Sequence, residues 1–238
     1  MRALVLLSQG LHPVSGKSCL PRAEAQAARL AAMLDADASG LHAGPSSESV
    51  REALGRGLTH LTHLKLDGDP VPPIVAALRD LKPDVVLAGP CGQGGEDTGL
   101  LPYAVAHQLD WPLVAHAVAV EAAQGGLRVT QAMAKGARRF VTAPLPVLVT
   151  THPSAPPPLP FAYGRARAGR VAAFAVSSPT AAADECETRP WRARPKVLAA
   201  QASPEAKGRL LVNPDPHEAA REILAYLCKI GVVAERPT

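Results

Sequence analysis

The feature that most constrains this chain is a rhythm. From Ala3 to Leu109, short apolar runs alternate with longer segments of helical period. "ALVLL" (Ala3–Leu7) reads as a buried strand, and the alanine-rich Ala23–Leu34 reads as a helix that follows Pro21. Ala38–Gly44 reads as a second strand. Ser46–Leu58, with serines at its start and Gly55 and Gly57 at its end, reads as a helix. Leu61–Leu66, the proline-opened Val71–Leu81, the run "DVVLAG" beginning at Asp84 and the segment Leu100–Leu109 continue the alternation. Strands joined by helices of this length pair in parallel, because a tight turn can only reverse the chain. The expected fold class is therefore α/β, a parallel sheet with helices on both faces.

The pattern then changes. Val114–Ala122 and Leu127–Met133 flank Gln124-Gly125-Gly126 and predict an antiparallel hairpin; "RRFVTA" and Pro146–Thr151 predict two more strands. After Thr151 the proline-rich His152–Pro160 is expected to be extended, and Tyr163–Arg170 reads as basic and flexible. A last helix is expected over 216–230. Asp215 is its N-cap, Pro216 its first residue and Glu218 its capping-box acid. Ala219, Ile223, Leu224, Leu227 and Ile230 share one face of it, and Gly231 ends it. This divides the chain into a domain at 1–151 and an extended arm at 152–238. Structureless connections of roughly sixty residues are uncommon inside one compact domain, so the arm is expected to lie on a partner subunit.

Composition supports a sizeable aliphatic core: 47% of residues are apolar, 19% charged and only 3% aromatic. A net charge of +4, spread along the chain, argues against a dedicated nucleic-acid binder. No apolar stretch approaches the roughly 18 residues of a membrane span, and the N-terminal apolar run is too short for a secretion signal. Cys19, Cys91, Cys186 and Cys228 lie far apart with no metal-type spacing, which suits reduced cysteines in a cytoplasmic protein.

Two motifs invite a phosphate. "GLHPVSGKS" (Gly10–Ser18) ends like a P-loop, but five residues rather than four separate its glycine from Gly-Lys, so it reads as an ordinary polar loop. The second is "GPCGQGGEDTG" after the fourth strand, with Gly92, Gly94, Gly95 and Gly99. Backbone N–H groups at a helix start attract anions. Glu96 and Asp97 oppose that: a carboxylate about 4 Å from a phosphate costs about 1 kcal/mol in water and about 4 near a protein surface. The helix end returns only about 0.3–1 kcal/mol. From the residues alone, a nucleotide site and a plain structural turn stand level. The histidine pairs His60/His63 and His107/His116 have no acidic or cysteine ligands beside them, so no metal site is expected. No nucleophile or acid–base pair stands out, and no catalytic residue is assigned.

Taken in order, "KPDVVLAG", "GGEDTG", "LDWP", "GGLRVT" and "LPVLVTT" resemble the motifs of the electron transfer flavoprotein β subunit family. "LHAGPSSESVREALGRGL", "LPFAYGRARAGRV" and "NPDPHEAAREILAYLCKIGVV" extend the resemblance over nearly the whole chain. It implies a Rossmann-like domain of the adenine nucleotide alpha hydrolase type, with an added antiparallel hairpin and an arm ending in a helix. It implies an α subunit as partner, holding most of a shared FAD, and a flavin dehydrogenase as electron donor. It implies a β-subunit nucleotide, usually AMP, near Leu6, Ala43, Gly44, Gly92, Gly94, Gly95, Asp97, Thr98 and Gly99. It makes 152–171 the recognition loop that docks the dehydrogenase, with Leu159 as anchor beside Pro160, Arg165 and Arg167. It implies an electron carrier and not an enzyme. There are departures. Leu100-Leu101-Pro102-Tyr103 replaces the family's "QxGP", and Leu20 stands for the asparagine of "NPxxE", whose acid is Glu24. These predict a weak or empty nucleotide site. The competing reading is a stand-alone adenine-nucleotide-binding protein of the universal-stress type; an adenine-nucleotide hydrolase or ligase comes third, for want of a phosphate loop after the first strand.

Overall fold

The computed structural model describes residues 1–12, 14–92, 98–176 and 211–233. In chain order the elements are β1 (Ala3–Leu7), β2 (Gly10–Leu11), β3 (Ser18–Cys19), α1 (Arg22–Leu34), β4 (Ser39–Gly44), β5 (His60–Lys65), α2 (Val71–Leu81), β6 (Val85–Ala88) and α3 (Leu101–Leu109). There follow β7 (Leu113–Ala123), β8 (Gly126–Ala132), β9 (Arg138–Ala143), β10 (Val147–Thr151), α4 (Tyr163–Ala168), β11 (Arg170–Ala175) and α5 (Pro216–Lys229).

Among the described residues nine strands form one sheet, in the order β11-β5-β4-β1-β6-β10-β7-β8-β9. The strands from β11 to β7 pair in parallel, and β7, β8 and β9 form an antiparallel meander at the other edge. This is the parallel α/β sheet that the alternation foretold, with the hairpin that Gln124-Gly125-Gly126 predicted, and it agrees with the Rossmann-like fold that the resemblance implied.

β1 shows why the rhythm works. Its five residues are all buried, and alternate side chains enter opposite layers. Val5 and Leu7 pack with Ala27, Leu30 and Ala31 of α1. Leu4 and Leu6 pack with Ile74 and Leu78 of α2 and Val105 of α3. A strand covered on both faces has no polar alternation, as its sequence shows.

Two readings change. Ser46–Leu58 does not form an α-helix; it holds a 3-10 segment at Val50–Arg56. Gly55 and Gly57 weaken the helix. The Gly55 carbonyl accepts from Ala162 N at 2.8 Å, a tertiary bond. The basic stretch after Pro160 is ordered as α4 and β11, and β11 pairs in register with the whole of β5. The chain forms two compact units, Met1–Arg189 and Pro190–Thr238, and β11 belongs to the first. The P-loop look-alike is a small hairpin, in which β2 pairs with β3 and His12 N donates to Lys17 O at 2.8 Å.

In the second unit, α5 starts as its sequence dictates. Asp215 Oδ2 accepts from His217 N at 3.0 Å and Glu218 N at 3.4 Å, and Gly231 follows the helix at φ +74°. Ile223, Leu224 and Ile230 are at least half exposed. No described helix is long and apolar enough to cross a membrane.

Candidate functional site

Strand order reverses between β1 and β6: the chain first builds outward through β4 and β5, then crosses back to β6. Ligands of open α/β sheets bind in the crevice beyond the carboxyl ends of the strands at such a point. A cleft of ≈ 190 Å³ lies there. Leu6, Ala43, Ile74 and Ala88 give it apolar walls, Ser8, Gln9 and Glu24 its polar side, and Pro102 closes it from α3.

The polar side is held by Glu24, which is 4% exposed. Its Oε2 accepts from Ser8 N at 2.7 Å, and its Oε1 accepts from the Ser8 hydroxyl. A carboxylate therefore occupies the first free N–H beyond β1, the place a phosphate takes in many folds of this class. Thr151 Oγ1 donates between the carbonyls of Ala23 (3.1 Å) and Ala88 (3.4 Å), tying the start of α1 to the end of β6 beneath the cleft. Gly99 enters α3 at φ +71°, and a Cβ there would lie 2.8 Å from Pro90 O, so the turn needs a glycine. Thr98 Oγ1 accepts from Leu100 N at 3.3 Å.

The structure brings Leu6, Ala43 and Gly92 together in the cleft. Gly44 lies just past Ala43, with its carbonyl engaged by His63 Nε2 at 2.8 Å. Thr98 and Gly99 stand at the threshold of α3. Gly94, Gly95 and Asp97 lie outside the described residues. Ser8 and the anchoring role of Glu24 were missed from sequence; the acid of the "NPxxE"-like segment was the available signal.

The segment after β10 lies along α1 and the 3-10 segment, held by side-chain donors on alternate carbonyls. Gln26 Nε2 donates to Pro153 O (3.2 Å) and Ala155 O (2.7 Å), Arg29 Nη1 to Pro157 O (2.8 Å), and Arg56 Nη1 to Leu159 O (2.8 Å). An extended proline-rich chain lacks bonds of its own, so such donors fix it. Phe161 sits over Gly55, where a Cβ would meet its ring at 2.3 Å, and Leu159 is half-buried over Gly57. Pro160, Arg165 and Arg167 are exposed. Arg56→Ala is expected to raise amide exchange across 153–162 about fivefold, the effect of losing about 1 kcal/mol of hydrogen bonding. Exchange mass spectrometry measures it.

Comparison with known proteins places this geometry. The electron transfer flavoprotein domain model matches residues 16–179. A curated relative, electron transfer flavoprotein subunit beta of Chromohalobacter salexigens, is 34% identical over 95% of this chain and 94% of its own length. The chain belongs to the electron transfer flavoprotein β subunit family. The matched region contains α1, the cleft's β4 and β6 walls and the whole proline-rich strap, while the cleft's β1 side, Leu6 to Gln9, precedes it.

Proposed function

We propose that this chain is the β subunit of a heterodimeric electron transfer flavoprotein, passing electrons from a flavin dehydrogenase to a downstream acceptor. The observation that carries the reading is the switch-point cleft inside a chain of this family. The described lining suits an adenosine moiety: Leu6, Ala43, Ile74 and Ala88 would take the base, and Ser8 and Gln9 the ribose. Glu24, already bonded to Ser8, would keep a phosphate away from β1 and leave it to the turn before α3. With the Glu24 carboxylate on the N–H beyond β1, few phosphate donors are left there for a second FAD, so AMP, bound weakly, is the ligand we assign. FAD would supply the redox chemistry and would be held mainly by the α subunit. This chain's part is positioning. The exposed apolar stripe of α5 would lie on the α subunit, and Leu159 and Pro160 of the strap, with Arg165 and Arg167 of α4, would dock the dehydrogenase.

The test is the absorption spectrum of the full chain copurified with its large partner, together with analysis of extracted nucleotide. A flavin spectrum near one FAD per heterodimer, bleached by a dehydrogenase and its substrate, is expected. A colourless homodimer retaining adenine nucleotide would overturn the proposal in favour of a stand-alone nucleotide binder.

A further inference from the structure

Behind the cleft, two buried histidines face each other across β4 and β5. His42 and His63 are register partners, 2% and 5% exposed, with rings stacked at 5.3 Å. His42 Nδ1 lies 2.8 Å from Leu7 O and its Nε2 2.9 Å from Ser46 O. Leu7 ends β1 and lines the cleft; Ser46 follows Ala43, the cleft wall at the end of β4. One ring thus joins the two backbone segments that flank the cleft mouth.

Carbonyl oxygens only accept, so both contacts are hydrogen bonds only when both ring nitrogens carry protons. A neutral ring has one N–H and turns a lone pair on the other carbonyl. Only the imidazolium would satisfy both carbonyls at these distances. Opposing it, burial holds the His42 pKa below its ordinary 6.5, aided by the neighbouring His63 and countered by the Leu7 and Ser46 carbonyls. The surrounding ionisable groups are few. On β5, Lys65 shares the face of His63 but is exposed. Glu48 on the following turn is exposed, and Glu52 is paired with Arg56. Across β1, Glu24 is engaged with Ser8.

We propose that His42 is a proton-dependent latch. As an imidazolium it holds Leu7 and Ser46 together; as a neutral ring it releases one of them. Occupancy of the cleft by an anionic adenine nucleotide is coupled to uptake of one proton there. The coupling rests on the nucleotide reading above, and the latch does not. An anion in the cleft favours the charged ring, and the charged ring sets the cleft's walls. Without ligand the sign is opposite. A group with a depressed folded pKa contributes stability that is full above 6.5 and lost as pH falls through the folded value. The latch is therefore costly empty and favourable occupied.

The test is a ring-nitrogen NMR titration of the full chain, 15N-labelled at histidine, from about pH 8 to about pH 5. It is run with and without AMP, on wild type, His42→Gln and His63→Gln. One ring, missing from His42→Gln, is expected to pass from one N–H to two on acidification. Its midpoint moves to higher pH in His63→Gln and in saturating AMP. AMP affinity rises on acidification by up to about tenfold per pH unit for one linked proton, beyond the trend that AMP's own phosphate produces in His42→Gln. A ring that keeps one N–H throughout overturns the latch. A midpoint unmoved by AMP overturns the coupling. A chain that takes no AMP at any pH overturns the nucleotide reading and the coupling together, while the ligand-free titration still decides the latch.

Discussion

Glu24→Ala is expected to lower stability by about 1.5–3 kcal/mol, the scale of hydrogen bonds made to a charged group. The carboxylate is 4% exposed and carries both the amide and the hydroxyl of Ser8. Without it, the first residue past β1 loses its acceptor and the polar side of the cleft loses its shape. For a domain of this size the melting temperature should fall by about 2–4 °C per kcal/mol. AMP binding, if Ser8 contacts the ribose as proposed, should weaken about tenfold, which is about 1.4 kcal/mol. Glu24→Gln keeps one acceptor oxygen but turns an amide NH₂ toward Ser8, and should recover only part of the loss. Calorimetric unfolding of the two variants separates the acceptor from the charge. An alanine variant as stable as wild type would remove Glu24 from its anchoring role.

Gly126→Ala should be worse, at upwards of about 3 kcal/mol. Gly125 and Gly126 join β7 to β8 at φ +82° and +148°. At Gly126 an added Cβ would lie 1.9 Å from the Ala143 carbonyl oxygen and 2.9 Å from its carbon. That neighbour is strand backbone, in register opposite Leu127, and cannot rotate away as a side chain would. The β8–β9 pairing must shift, taking with it the buried Leu127 and Val129. Gly125→Asn is the control: its Cβ meets nothing within 4 Å, and asparagine tolerates positive φ. Thermal unfolding should show a large loss for the first and little for the second. Equal losses would mean that strain in the turn, and not the approach of β9, sets the requirement.

Both substitutions bear on how far the sequence could be read. The Gln-Gly-Gly hairpin was plain from its residues, because a tight turn between two β-rich runs is a local matter. The closeness of β9 to Gly126 was not, since Ala143 is a distant neighbour brought there by the sheet. Glu24 tells the same story. Its segment was noticed, but its partner Ser8 sits on a different element.

What the sequence determined alone is the set of strands and helices with strong periods, the parallel order they impose, the hairpin, the cap of α5 and the family. These depend on residues close in the chain, or on several motifs kept in order. Only the tertiary structure decided that Ser46–Leu58 tightens into a 3-10 segment and that the basic stretch becomes α4 and β11. It also decided that Gln26, Arg29 and Arg56 hold the strap, and that His42 bridges Leu7 and Ser46. Each of these is a bond to a carbonyl or an edge far along the chain. The local residues had no preference strong enough to announce it, and the free energy that fixes it is gained only when the sheet has assembled.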